Sequence, residues 1–153
     1  MAREIERKFL VKDDKWLKFQ KGTAYKQGYL SIEKDHTVRI RISSQNAYIT
    51  IKGKTTGAAR SEFEYEIPLE DGKELINMCR QPVIEKIRYK IEFKGFTWEI
   101  DKFLGKNKGL VLAEIELESE DQVFEKPDWA DKEVTGDARY YNASLSVKPY
   151  STW

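Results

Sequence analysis

The stretch Glu4-Ile5-Glu6-Arg7-Lys8-Phe9, residues 4–9, alternates charged and apolar side chains near the start of the chain. Successive side chains of a β-strand point to opposite faces of the sheet. Glu4, Glu6 and Lys8 would therefore share one face, while Ile5 and Phe9 would share the other. This pattern predicts a strand with one charged face and one apolar face.

The same period of two residues recurs along most of the chain, in segments rich in β-branched and aromatic residues. It predicts strands at residues 4–11, 24–33, 37–43, 47–52, 61–67, 83–93, 96–103 and 110–118. Short connections such as Gln45-Asn46 and Lys94-Gly95 favour antiparallel hairpins over parallel crossovers. Subordinate helices are predicted at residues 13–21, 70–80, 121–125 and 138–147.

Charges recur at alternate positions of five further predicted strands. These same-face sets are Arg39 and Arg41; Glu62, Glu64 and Glu66; Lys86 and Arg88; Glu99 and Asp101; and Glu114 and Glu116. A solvated outer face is the ordinary explanation for any one strand. The acidic and basic sets, however, fall largely on separate strands, as two segregated patches would require.

Eight strands can close into a barrel just wide enough for one ligand or a filling of side chains. The sequence therefore predicts a mainly β (α+β) fold, a closed eight-stranded antiparallel β-barrel with a few flanking helices, in one domain covering residues 1–153. Its charged face would line the interior. Because unpaired buried ions lose several kcal/mol of solvation each, such an interior needs ligands of both signs.

Carboxylates without His or Cys partners suit hard cations such as Mg²⁺ or Mn²⁺. Arginine suits phosphate, because its planar guanidinium binds two oxygens at once. A charged barrel of this composition therefore predicts a divalent metal on the acidic strands and a phosphate-bearing polyanion on the basic ones.

The composition narrows the other possibilities. Lys and Arg number 27 against 26 Asp and Glu, so the net charge of +1 gives no global field for nucleic acid. No apolar run approaches the ~20 residues of a membrane span, and no signal peptide is evident at residues 1–8. The single cysteine, Cys79, fits a reducing compartment. We therefore expect a cytoplasmic protein, with no membrane or nucleic-acid partner.

Together these segments resemble the CYTH or triphosphate tunnel metalloenzyme superfamily, especially its short bacterial inorganic triphosphatase-like members. The ordered set matters more than any one motif, because an isolated ExExK is a weak signal in a chain so rich in Glu and Lys. The matching motifs are Glu4-Ile5-Glu6-Arg7-Lys8, Arg39-Ile40-Arg41, Thr50-Ile51-Lys52, Glu62-Phe63-Glu64-Tyr65-Glu66, Lys86-Ile87-Arg88-Tyr89, Glu99-Ile100-Asp101, Glu114-Ile115-Glu116 and Arg139-Tyr140-Tyr141-Asn142.

The resemblance implies a role for each matching charge. The metal-binding acids would be Glu4, Glu6, Asp101, Glu114 and Glu116. The substrate-binding bases would be Lys8, Arg39, Arg41, Lys52, Lys86 and Arg88. The catalytic set would be Glu4, Glu6, Lys8, Arg41, Glu62 and Glu64, in which Glu62 and Glu64 could hold a second metal or orient water.

The activity implied by the resemblance is hydrolysis of a triphosphate with one or two Mg²⁺ or Mn²⁺ ions. The short chain favours inorganic tripolyphosphate, cleaved to pyrophosphate and phosphate. Thiamine triphosphatase, nucleoside triphosphatase and class IV-type adenylate cyclase activities stay open as alternatives, as does a non-catalytic polyphosphate-binding barrel. A homodimer is also left open.

Two other residues could suggest different chemistry. His36, the single histidine, lies in a polar stretch typical of a turn. Cys79 ends an apolar helical face and is expected in the core rather than as a nucleophile.

Overall fold

The fold is described by a computed structural model covering residues 3–17 and 21–153. Within these residues nine antiparallel strands form one sheet. The strands are β1 (Arg3–Val11), β2 (Thr23–Ile32), β3 (His36–Ser43), β4 (Asn46–Gly53), β5 (Ala59–Ile67), β6 (Ile84–Phe93), β7 (Phe96–Phe103), β8 (Val111–Glu116) and β9 (Ala130–Glu133).

Eight of these strands close into the predicted barrel. They follow the order β5-β4-β3-β2-β6-β7-β8-β1, and β1 returns to β5 through the pairs Arg3 with Ser61 and Ile5 with Ala59. The second half of β1 is free of β5 and pairs with β9 instead, with a register shift between Phe9 and Val11. The sequence did not predict β9, because four residues with one apolar position are too few to show a period of two.

The helices are fewer and shorter than predicted. The α1 helix (Leu69–Met78) confirms the prediction at 70–80, but residues 121–125 form the end of a turn and irregular backbone, so that predicted helix is wrong. There the ring of Phe124 packs on Phe9 and Trp98, and Gln122 Oε1 accepts a hydrogen bond from the backbone of Glu118.

Two further helix predictions also differ from the structure. The described part of the predicted helix at 13–21 is a turn in which Asp13 accepts a bond from the backbone of Lys15, and residues 18–20 lie outside the described residues. The segment 138–147 is split by extended Tyr141 into a 3-10 turn (Ala138–Tyr140) and α2 (Asn142–Val147). No helix in the described part of the chain is long and apolar enough to cross a membrane.

Most of the hydrophobic core lies outside the barrel. One cluster joins the outer side chains of β1, β7 and β8 to residues such as Trp16 and Trp129 from the flanking segments. Another lies beneath α1, where Ile76 and Cys79 cover Ile40 of β3. This arrangement leaves the inner faces of the strands available for charge.

One end of the barrel interior is nevertheless filled by apolar side chains, which we call the plug. The strands contribute Tyr29, Ile84, Phe103 and Leu112, the segment between β7 and β8 contributes Leu110, and the C-terminal region contributes Val134, Tyr140 and Leu145. Several plug residues share a face with the site charges two positions away, as Ile84 does with Lys86. The plug therefore confines the charged part of the interior to the other end of the barrel.

The contact between α1 and the barrel gives a test of the packing. A Cβ at Gly72 would lie 2.5 Å from the Cβ of Ala47 on β4. Gly to Ala normally favours a helix by ~1 kcal/mol, but here the overlap forces α1 away from the sheet. We expect Gly72→Ala to lower the free energy of unfolding in urea by about 1–3 kcal/mol. Lys73→Ala, at an exposed neighbouring position, is the control, and a Gly72→Ala protein as stable as wild type would contradict this packing.

Candidate active site

The charged inner faces of the barrel line a cavity of about 230 Å³. The structure brings all the predicted site residues to this cavity except Asp101. Those that line it are Glu4, Glu6, Lys8, Arg39, Arg41, Lys52, Glu62, Glu64, Lys86, Arg88, Glu114 and Glu116. The cavity has a predominantly acidic wall on β1 and β8 and a predominantly basic wall on β3 and β6.

On the acidic wall, strand pairing sets carboxylates beside one another. Glu6 lies opposite Glu116 in the β1–β8 register, and Lys8 lies opposite Glu114. Burial and the neighbouring charges of Glu114 and Glu4 raise the pKa of Glu6 well above its usual value. Burial alone would also raise the pKa of Glu114, but the charge of Lys8 and of nearby arginine holds it well below its usual range. Lys52 and Lys8 oppose the shift at Glu6 but do not cancel it.

Glu4 is hydrogen-bonded directly to two cationic side chains. Its carboxylate accepts hydrogen bonds from Lys52 Nζ at 3.0 Å and from Arg60 Nε at 3.2 Å. Although burial opposes ionisation, these charges lower the pKa of Glu4 to about 2. Lys52 Nζ also lies 3.3 Å from Glu62, whose pKa is raised to about 7 by burial and by its contact with Glu4. Lys52 therefore bridges β1 and β5 across the seam where the barrel closes.

The basic wall contains arginines whose positive charges are only partly balanced by nearby carboxylates. Arg39 and Arg41 both reach Glu64 Oε2, at 3.5 and 3.4 Å. Burial and the charges of Arg39 and Arg88 lower the pKa of Arg41. The ring of Tyr25 lies between Arg41 and Arg88, 4.9 and 5.4 Å from their guanidinium carbons. An anion entering the cavity would therefore reduce the repulsion between the arginines of this wall.

Asp101 lies behind the basic wall. It is 1% exposed and binds Arg88 through two parallel hydrogen bonds of 2.7 and 2.8 Å. Lys86 Nζ donates to the same carboxylate at 2.8 Å. Although burial alone would raise the pKa of Asp101, these two cations lower it to about 2. The structure thus gives Asp101 the environment of a buried counter-ion, away from the cavity surface.

The architecture is shared with proteins of known family. A CYTH domain model matches residues 2–150. The chain belongs to the CYTH family. It is 51% identical to an inorganic triphosphatase of Acetivibrio thermocellus over 154 aligned positions, covering 100% of this chain and 99% of that protein. It is 35% identical to an inorganic triphosphatase of Nitrosomonas europaea, covering 94% and 97% of the two chains.

Solved CYTH-like structures agree with the fold. The crystal structure of the inorganic triphosphatase NE1496 superimposes with a TM-score of 0.70 at 32% identity, covering 96% of each chain. The resemblance to the family and the closed barrel are thereby confirmed.

Several residues of the CYTH cavity were not predicted as site residues. Arg60 lines the cavity and shares the parity of Glu62 and Glu64, but the strand was predicted to begin at residue 61, two positions after its actual start at Ala59. Glu99 was predicted to share the charged inner face of its strand with Asp101, but it was not assigned a role in the site. Tyr141 and Asn142 lie in the closing motif and line the cavity, whereas Arg139 of the same motif is exposed and pairs with Asp137.

The two residues considered for other chemistry lie elsewhere in the CYTH barrel. His36 is exposed at the start of β3 and is not part of the cavity wall. Cys79 is buried at the end of α1, as expected for a core residue.

The buried counter-ion of the CYTH barrel gives a second prediction. We expect Asp101→Asn to lower the free energy of unfolding by about 3–5 kcal/mol near neutral pH, because it leaves two buried cations unbalanced. Since the pKa of Asp101 is depressed to about 2, this stabilisation is present above pH ~4 and is lost as the pH falls towards 2. Urea titrations with a chelator should show the two proteins converging over that range. Asp137→Asn, which breaks an exposed ion pair, should change little at any pH. A constant gap between wild type and Asp101→Asn from pH 7 to 2 would contradict the assignment.

Proposed function

We propose that this protein is an inorganic triphosphatase that hydrolyses tripolyphosphate to pyrophosphate and phosphate inside the barrel, with a divalent cation. The observation that carries the proposal is a cavity in which a carboxylate wall faces an arginine and lysine wall. A phosphate chain and its metal ion together need both kinds of wall. The two curated relatives named inorganic triphosphatase support the same activity.

The basic wall binds the phosphate chain. Arg39, Arg41 and Arg88 present fixed guanidinium groups, which suit the planar pairs of oxygens on a phosphoryl group. Arg41 is the least compensated of them, so an anion relieves its repulsion from Arg39 and Arg88. Lys86 and Arg88 are held from behind by Asp101, which fixes their positions before substrate arrives.

The size of the cavity favours an inorganic substrate. At about 230 Å³ it is smaller than the ~300–1,000 Å³ of sites that enclose drug-sized ligands. The plug fills the far end of the barrel with Phe103, Leu112 and other apolar side chains. Little space is left there for a thiamine or nucleobase group.

The acidic wall fits a hard divalent cation, Mg²⁺ or Mn²⁺, one or two ions being bound. Glu6, Glu114, Glu116 and Glu4 supply oxygen donors alone, and burial together with the neighbouring carboxylates of Glu114 and Glu4 raises the pKa of Glu6. Among residues 3–17 and 21–153, no three acid, histidine or cysteine side chains already converge on one point, because Glu4 and Glu114 turn to lysines and arginine. When bound, the cation would neutralise phosphate oxygens and activate the attacking water.

The chain's own residues contribute positioning and charge. Hydrolysis here is in-line attack of water on a terminal phosphoryl group, which needs little covalent chemistry from the protein. Arg41 and Lys8 stabilise charge that develops on the transferred group. Glu64 holds Arg39 and Arg41, and Glu62 lies beside Glu4, where its carboxyl can orient water. With one buried cysteine, the enzyme fits a reducing compartment, and we propose that it acts in the cytoplasm on a free small-molecule triphosphate.

The proposal predicts a strict need for the carboxylate of Glu6. We expect Glu6→Gln to reduce kcat for tripolyphosphate by at least ~100-fold, because the amide keeps the shape of the side chain and removes its charge toward the metal. Glu66→Gln is the matched control, since Glu66 lies on the same face of β5 as Glu62 but outside the cavity, bound to Asn46. Phosphate release is measured with Mg²⁺, with Mn²⁺ and with a chelator.

Parallel reactions with thiamine triphosphate, ATP and pyrophosphate test the choice of substrate, with phosphate, pyrophosphate and cyclic nucleotide scored separately. Tripolyphosphate should give the highest kcat/KM. Equal rates for Glu6→Gln and wild type at limiting metal would remove the metal assignment. If the protein bound polyphosphate without hydrolysing it, it would be a polyphosphate-binding barrel and not an enzyme.

A further inference from the structure

Asn142, the first residue of α2, lies where the plug meets the charged cavity. It lines the cavity, and its Oδ1 accepts two hydrogen bonds, from Gln27 Nε2 at 2.9 Å and from Lys86 Nζ at 3.1 Å. Lys86 in turn donates to Asp101 at 2.8 Å. Hydrogen bonds between four polar side chains therefore connect β2, α2, β6 and β7 at the wall of the cavity.

The donor and acceptor groups of these four side chains determine how the amides of Asn142 and Gln27 are oriented. Lys86 beside the Asp101 carboxylate is a donor, so the Asn142 atom facing it must be the oxygen. The Gln27 atom facing that same oxygen must then be the nitrogen. The consequence for Gln27 is costly: its side chain is fully buried, and its Oε1 has no partner among the described residues. Leaving a buried acceptor unpaired destabilises the folded protein.

The amide nitrogen of Asn142 is the group left over. With Oδ1 committed to Gln27 and Lys86, Nδ2 has two hydrogens and donates to none of the acceptors in residues 3–17 and 21–153. Asn142 is half-buried on the cavity wall, which Lys86 and Arg88 also line. A neutral donor placed among fixed cations is suited to an anionic oxygen that enters the cavity.

We propose that Asn142 Nδ2 donates a hydrogen bond to a phosphate oxygen of the substrate, and that Gln27 is the positioning residue that holds this amide in its donating orientation. This inference rests on the proposed triphosphatase function and adds a neutral donor to its charged contacts. Gln27 itself does not reach the cavity. It acts through Asn142, and its unpaired oxygen is the cost of that orientation.

The decisive variant is Asn142→Asp. The new carboxylate can still accept from Gln27 and Lys86, so a purely structural role for Asn142 is preserved, whereas the donor toward the substrate is replaced by an acceptor. We expect unchanged or higher thermal stability and a KM for tripolyphosphate raised at least ~10-fold, with a smaller change in kcat. Asn142→Ala should also raise KM, without adding charge.

Two controls separate the contact from other effects. Thr37→Asp adds the same charge to the cavity lining without touching Gln27 or Lys86, and so measures the effect of charge alone. Asn46→Asp makes the same substitution at the exposed first residue of β4 and should leave KM unchanged.

The positioning role of Gln27 is tested by a double-mutant cycle. Gln27→Met, similar in size but unable to hydrogen-bond in this way, should raise KM in the wild-type background and have no further effect in Asn142→Ala. Equal effects in both backgrounds would overturn the role of Gln27. A KM for Asn142→Asp within twofold of wild type, or no higher than that of Thr37→Asp, would overturn the contact. If the wild-type protein does not hydrolyse tripolyphosphate, the proposed function fails first, and separately from this inference.

Discussion

The pairing of Asp101 with Lys86 and Arg88 is the constraint on which the rest of the interior depends. A lone buried cation loses several kcal/mol of solvation, and two adjacent cations also repel each other. A single carboxylate on β7, bound to both at 2.7–2.8 Å, lets β6 carry its basic pair on the inner face. The basic wall can then exist before any anion is bound.

The same principle explains the seam of the barrel. Within the described residues the β1–β5 ladder covers residues 3–5, which is a short closure for a barrel. Glu4 from β1 meets Lys52 from β4 and Arg60 from β5 at this point. Side-chain ion pairs thus reinforce the seam where the ladder is shortest. Charge therefore serves the closure of the fold as well as the proposed chemistry.

The sequence predicted much of this because parity within a strand is a local property. Glu4, Glu6, Lys8 and their counterparts could be placed on one face without knowing which strands are neighbours. The ion-pair partners could not be predicted in the same way, because they depend on the order of the strands around the barrel. Arg60 was missed because the start of β5 was predicted two residues late. The plug was missed because Ile84 and Phe103 share their face with charges, so the pattern does not show where the charged part of the interior ends.

The central claim is that the arginines lie in an enclosed cavity and bind the phosphate chain there, and ligand-induced stabilisation tests it most directly. Thermal melts of wild type, Arg41→Ala and Arg3→Ala are recorded with and without tripolyphosphate, with a chelator to prevent turnover. At about 100 times its Kd, the anion should stabilise wild type by ~2.7 kcal/mol. Arg3→Ala, exposed outside the cavity, should show the same shift. Arg41→Ala should lose most of the shift while its ligand-free form changes little, since Arg41 is repelled by Arg39 and Arg88. Equal shifts in all three proteins would contradict the account.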